Sequence, residues 1–368
     1  MQGQTPLLYA AQCGYRHSVQ ELLLTRRVDL VSRDSSGYTP LIWAARRGSQ
    51  YIVRDLLTRH GKSAANDREL LLVDRLTEAS PIVPHSRVAS RKAAQFGSIN
   101  IMDRYQRTAL SYAAQIGSSK CVWELLELGA DPTLADYMGE TPLMYAAISC
   151  SAKTVQQFYH YPDFFDNKDV EGRTALSYAA EFGTLAMIQI FLRDQRIDPD
   201  SRDKKNRSPL SYAAQYGTLD IVNALLADSQ VDADSKCSGG LSPLSWAFER
   251  KVSIRVEDTT STSKEEDTQR SIVRAFLRTG RVDINSRDNL GQTALLRAAR
   301  HQRYSIAAIL LNYGCDIHIQ DDGRMTALDW AQCSGNEKII QLLREYTPDT
   351  NGKKIYTSYG HLSHRFND

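Results

Sequence analysis

The sequence of 368 residues predicts an all-α solenoid, a stack of paired antiparallel helices linked by extended hairpin loops. Three observations predict it. A Thr/Ser-Pro/Ala-Leu tripeptide recurs, beginning at Thr5, Thr39, Thr108, Thr141, Thr174, Ser208, Ser242, Thr293 and Thr326, with successive gaps of 34, 69, 33, 33, 34, 34, 51 and 33 residues. Two small residues follow most of these tripeptides at a fixed distance, and a polar stretch rich in Asp, Asn and Gly precedes them. A period held this closely sets the architecture.

Within a repeat the elements follow in order. Ser or Thr is an N-cap, and the Pro after it takes the first helical position, where a missing N–H costs nothing. In Ser208-Pro209-Leu210-Ser211-Tyr212-Ala213-Ala214 the two alanines let neighbouring helices approach closely. Gly217 is expected to end this helix in the left-handed conformation that glycine adopts without penalty. A second helix follows, with Ile221, Val222, Leu225 and Leu226 on one stripe. The remainder, as in Asp283 to Gly291, suits an extended loop reversing through an Asp/Asn/Gly turn. Four positions after the cap stands an aromatic residue: Tyr9, Trp43, Tyr112, Tyr145, Tyr178, Tyr212, Trp246 or Trp330, with Arg297 the exception. Stacking the same position repeat on repeat makes these a core ladder.

This grammar resembles the ankyrin repeat, over roughly residues 3–346. The Leu-Ser-Tyr-Ala-Ala flavour of several repeats is similar to that of fungal multi-ankyrin proteins. One departure is consistent. The family's histidine after T-P-L is replaced throughout, by Leu8, Ile42, Ser111, Met144, Ser177, Ser211, Ser245, Leu296 and Asp329, so its bridge between loops is expected to be missing or taken over by serine.

Two stretches interrupt the array. Residues 59–107 read as a degenerate repeat or insertion, in which Val88 to Gly97 matches part of a repeat and Arg68 to Ala79 offers a substitute helix; the gap of 69 then holds two repeats, one degraded. Repeats are thus expected at 1–58 and 108–346. The second interruption, 251–270, carries Thr259 to Ser263 and Glu265 to Asp267, a polar composition expected to be disordered and open to phosphorylation at Thr262 and Ser263. Residues 347–368 read as a polar flexible tail.

Composition narrows the function. Lys+Arg number 45 against 43 Asp+Glu, and this balance argues against a nucleic-acid or anionic-membrane binder. No apolar run approaches the roughly 18 residues of a membrane span. No basic segment with an apolar core opens the chain, so no signal peptide is expected. Six dispersed cysteines without a CxxC pair suit reduced thiols in a cytoplasmic or nuclear monomer.

Candidate chemistry dissolves on inspection. Gly61-Lys62-Ser63 resembles the end of a phosphate loop, but Leu56 stands where the second glycine belongs. His361 and His364 lack further ligands, and no cysteine is joined by the rest of a metal set. No acid, base and oxyanion donor converge, so neither an enzyme nor a cofactor is expected.

What the resemblance implies is recognition of a protein partner, through turn tips and first helices, with the second helices forming the back. Near the N-terminus the residues expected to read a partner are Arg33, Tyr38 and Arg47. In the middle they are Ile116, Tyr137, Met138, Glu171, Arg173 and Phe182. Arg202, Lys204, Lys205 and Arg207 form a basic turn beside Tyr216, and Asn289 and Arg300 follow. A second reading makes the array the sensor or regulatory region of a larger signalling NTPase or effector protein. Its motive is Thr5, so early that Leu7, Leu8 and Tyr9 are expected to face an absent neighbour.

Overall fold

The computed structural model describes residues 4–25, 27–61, 99–161, 165–248, 259–347 and 355–356. Two compact parts divide the chain, 1–198 and 199–368. Both are built from the same helix pairs. The first helices of the first part are Pro6–Cys13, Pro40–Arg46, Ala109–Gln115, Pro142–Ile148 and Ala175–Phe182. Those of the second are Pro209–Tyr216, Pro243–Phe248, Ala294–Arg300 and Ala327–Cys333. Each opens on its predicted cap, as where Thr39 Oγ1 accepts the Ile42 N–H at 3.2 Å and Ser208 Oγ that of Ser211 at 3.3 Å. Ala44, Ala45, Ala113, Ala114, Ala146 and Ala147 are wholly buried, and without bulk at these positions successive first helices pack directly on one another.

Across the long gap the two flanking repeats stack on each other. Helix Pro40–Arg46 packs directly on Ala109–Gln115, and the second helix Gln50–Gly61 on Ser119–Glu127. Glu124, buried in that seam, accepts from Gln50 Nε2 at 3.1 Å and pairs with Arg54. The Thr39 and Thr108 repeats are therefore neighbours. Arg68 to Ala79 and Val88 to Gly97 lie outside the described residues.

The second interruption is corrected. From Thr259 it is helical, continuous with the second helix of its repeat as Thr259–Arg278. Ile272, Val273 and Phe276 are fully buried, and Gln269 donates to Ala247 O at 2.7 Å, closing the end of the preceding helix. A helix nucleated by that buried half extends through polar residues at little cost, which composition alone does not register.

Gly217 is not left-handed. Its φ of −73° and ψ of −175° are extended, and Gly183 behaves likewise. The left-handed end occurs at the same register in other repeats, at Gly14 (φ 78°), Gly48 (φ 71°) and Gly117 (φ 70°). Cys150 and Gln302 adopt it without being glycine (φ 57° and 58°).

At the start of the chain Leu7 and Leu8 are buried against their own and the next repeat, while Tyr9 alone of the three is exposed. At the other end Tyr346–Thr347 pairs antiparallel with Ile355–Tyr356, a short ladder inside the expected flexible tail; 348–354 and 357–368 lie outside the described residues.

Candidate functional site

Seven hairpin turns carry a carboxylate five residues before the cap, at Asp34, Asp103, Asp136, Asp169, Asp203, Asp288 and Asp321. In the Thr108 repeat, Asp103 Oδ1 accepts the N–H groups of Tyr105 and Arg107 at 2.8 and 2.9 Å, and Oδ2 accepts the Tyr112 hydroxyl at 2.7 Å. Asp136, Asp169 and Asp203 bind their turns and Tyr145, Tyr178 and Tyr212 in the same way, at 2.7 to 2.9 Å. In the Thr39 and Thr326 repeats the donor is an indole, Trp43 to Asp34 and Trp330 to Asp321, both at 2.8 Å. Arg297 is no exception to this logic, since it reaches Asp288 Oδ2 at 3.0 Å. The ladder is thus a row of donors as much as a row of rings. Burial, followed by these hydrogen bonds, raises the Tyr112, Tyr145 and Tyr178 phenols far above their ordinary range, so they stay protonated donors.

Serine does replace the family's histidine locally. Thr108 and Ser111 hydroxyls lie 3.3 Å apart, as do those of Thr174 and Ser177.

The clamp decides which turn residues are free. In the Thr39, Thr108, Thr174 and Ser208 repeats the residue just before the cap lies against the ladder. Arg207 sits 4.0 Å from both the Tyr212 and Trp246 rings and donates to Gln215 at 2.7 Å. Arg173 lies 4.0 Å over Tyr178 and pairs with Glu181. Tyr38 is buried edge-on between Trp43 and Tyr112, with ring centroids 5.1 and 5.6 Å away. These three were expected at a partner surface; they are framework, because the turn aims their side chains at the rings. Arg202 is likewise engaged, by Asp200 and Asp232.

The two tip positions of most turns stay outside. Lys204, Lys205, Asn289, Glu171, Tyr137 and Met138 are exposed, as are Arg33 on the approach to its turn and Arg47, Ile116, Phe182, Tyr216 and Arg300 near the ends of first helices. Arg47 donates to Gln12 O at 3.1 Å, and Asn289 to Ser238 O at 2.8 Å. Phe182 belongs to the first part of the chain and Tyr216 to the second. Backbone bonds join successive tips, as Val170 N–H to Met138 O at 2.9 Å and Ser238 N–H to Lys205 O at 2.8 Å.

Sequence reasoning missed two tip residues. Tyr105 is half exposed, its ring 6.2 Å from that of Tyr137 on the next turn, and Val170 stands exposed one turn further. With Met138 they make an apolar stripe across three turns. The signal was available: each occupies one of the two positions after the turn aspartate.

Among the described residues no group of three His, Cys, Asp or Glu side chains is placed to hold a metal, and no helix is long and apolar enough to cross a membrane. Gly61 ends a helix, while Lys62, Ser63, His361 and His364 lie outside the described residues.

Comparison with known proteins agrees with this anatomy. The chain is 32% identical over 133 residues to "Probable E3 ubiquitin-protein ligase XBOS33" of Oryza sativa subsp. japonica, a match covering 36% of this chain and 23% of that relative. The chain therefore spans under a quarter of the relative it matches. A model described as "Ankyrin repeats (3 copies)" matches residues 2–68, 85–169, 151–238 and 263–354. With most of its length matched and a capped helix pair in every described repeat, the chain belongs to the ankyrin-repeat family.

Proposed function

We propose that the protein is a non-enzymatic scaffold that binds a protein partner through its turn tips and the ends of its first helices. One observation carries this reading. The clamp recurs in turn after turn, while the tips it presents are Ser35-Ser36, Arg104-Tyr105, Tyr137-Met138, Val170-Glu171, Lys204-Lys205 and Asn289-Leu290. A fixed frame with changing exposed side chains offers recognition with little ordering cost. Six free cysteines, three of them buried, fit a reducing cytoplasmic or nuclear setting, and the scaffold is taken to act as a monomer.

The test is affinity capture with the full chain, followed by measured affinity for whatever is captured. Tyr137→Ala with Met138→Ala probes the first part, and Tyr216→Ala with Lys204→Glu and Lys205→Glu the second. A hot spot in either set costs about 1–3 kcal/mol, with the charge changes acting mainly on association rate. Equal affinity in both sets, with thermal midpoints unchanged, rules out the tips as the binding surface.

A second reading has its own support. The rice relative matches over a segment that is a minor share of its length. In that reading the repeats are the recognition or regulatory region of a larger effector or signalling protein, and select what it acts upon. Fusing them to a heterologous effector, and asking whether its target range changes, separates the two.

A further inference from the structure

The Thr293 repeat ends its first helix in a knot of positive charge. Arg300 is the last residue of the helix, and the turn beyond it runs His301-Gln302-Arg303. Arg300 and His301 are exposed and Arg303 is partly so. The Arg300 guanidinium lies 4.9 Å over the Trp330 ring of the following repeat. The turn is pinned: Arg303 N–H donates to Ala298 O at 2.8 Å, and Gln302, held at φ 58°, donates from its side chain to Ser334 O at 3.1 Å.

Three carboxylates of this repeat and the next are already engaged. Asp288 holds Arg297, Asp321 holds Trp330, and Asp329 holds the Thr326 cap. Arg300, His301 and Arg303 form no ion pair among the described residues. Partial burial, then the charges of Arg297, Arg300 and Arg303, hold the His301 imidazole below its ordinary range. Positive charge is concentrated here on a prearranged surface.

We infer that Arg300, His301 and Arg303 form the docking point for an acidic segment of a protein partner. The inference rests on the scaffold reading and adds the partner's chemistry to it. A carboxylate laid between the two arginines relieves their mutual repulsion and accepts from the imidazole. A protein segment fits better than a nucleic acid. The chain's net charge is only +2, and a phosphate backbone draws on an extended basic stripe rather than one turn. Leu290, 59% exposed at the tip of the same repeat, offers the apolar contact that a peptide uses and a bare phosphate does not. Binding should also draw a proton onto His301, since a nearby carboxylate favours the imidazolium.

The experiment uses the full chain and a short fluorescein-labelled peptide of alternating Glu and Leu, with the Gln-for-Glu peptide as control. Anisotropy should report binding of the acidic peptide alone, weakened about tenfold in R300A/R303A and largely kept in R300K/R303K, as charge recognition requires. His301→Gln should leave binding near pH 7.5 intact but abolish an increase of roughly threefold expected on going to about pH 6. The His301 ring resonance should titrate at higher pH once peptide is bound. Unchanged affinity in R300A/R303A, with an unchanged thermal midpoint, overturns the assignment. Displacement of the peptide by inorganic phosphate or single-stranded DNA at matched charge also overturns it, and assigns the site to phosphate. If R300A/R303A still binds a captured partner at full strength, this docking point is wrong and the scaffold reading stands. If the wild type captures no partner and binds no peptide, both fall.

Discussion

The Ser242 repeat lacks its clamp, and restoring it is a direct test of what holds the turns. Cys237 stands where seven other turns have aspartate, and Trp246 Nε1 is buried without a hydrogen-bond partner. A thiol is a weak acceptor and offers the indole nothing comparable to a carboxylate. Trp43 and Trp330, on the same position, reach Oδ2 at 2.8 Å, so the geometry for the missing bond already exists in this fold. Cys237→Asp should therefore gain the indole bond and the two turn N–H bonds that Asp103 and Asp203 receive. Hydrogen bonds to a charged group contribute about 1.5–3 kcal/mol each in favourable cases. Desolvating a carboxylate opposes them by several kcal/mol. Arg207, 4.0 Å over the Trp246 ring, and Arg297, close enough for its charge to interact with Cys237, lower that cost.

The balance is a net gain of about 2 kcal/mol, or roughly 4–8 °C in midpoint for a cooperative part of this size. Thermal and urea unfolding of the purified chain measure it. Cys237→Ser, too short to reach the indole, is the control and should gain little. The reciprocal Asp203→Cys should lose stability. A midpoint for Cys237→Asp at or below the wild type, with native circular dichroism, refutes the clamp as the source of turn stability.

Other outcomes follow from neighbouring features. Tyr178 donates to both Asp169 and Glu140 at 2.8 Å, so Tyr178→Phe should cost about 1–2 kcal/mol in chemical denaturation. Arg324 holds the left-handed turn position (φ 60°) that glycine fills at Gly139 and Gly172, so Arg324→Gly should raise the midpoint by an increment worth about 0.5–1 kcal/mol. Asp166 and Asp234 are each pushed up to about 6, first by burial; the Asp198 charge adds to this at Asp166 against Lys168, while at Asp234 a backbone hydrogen bond from Asp283 and the Lys236 charge oppose it. A carboxyl raised above its unfolded value weakens the fold when charged, so stability from these two should rise as pH falls through about 6 and level off near 4. Asn100 and Asn285 hold the equivalent position and accept a backbone N–H at 2.9 Å. Asp166→Asn and Asp234→Asn should therefore each gain about 1 kcal/mol at pH 7, after discounting for solvent screening of half-exposed groups, with the advantage over wild type vanishing by about pH 4.

Much of the frame was legible because the period announces it. Caps, alanine pairs and the paired helices depend on residues within a few positions of one another, and local chemistry sets them. Thr259–Arg278 was misread because composition measures what a segment can bury, not whether a neighbouring buried stretch has already nucleated its helix. The stacking of the Thr39 repeat on the Thr108 repeat was hidden by distance along the chain: its bonds join Gln50 and Arg54 to Glu124 across the interruption. Gly217 shares its register with Gly14, Gly48 and Gly117 yet is extended where they are left-handed, a difference the repeat pattern does not encode.

The clamp also changes how charge in such turns should be counted. Lys204, Lys205 and Arg207 sit in one basic run, yet the turn sends the two lysines outward and the arginine onto two rings. Arg207 is bound by its surroundings before any partner arrives, and its removal should disturb stacking between the Ser208 and Ser242 repeats. The same geometry places Arg107 within 5.8 Å of Tyr112 and 5.0 Å of Tyr145, and Arg173 over Tyr178. A cation just before the cap is thus expected to act on stability, and one at a tip, under the proposed scaffold function, on recognition. Because the aspartate fixes both directions at once, a change at either position can be assigned to its role before it is made: Arg207→Ala should move the thermal midpoint, whereas Lys204→Glu should leave it in place and act on binding.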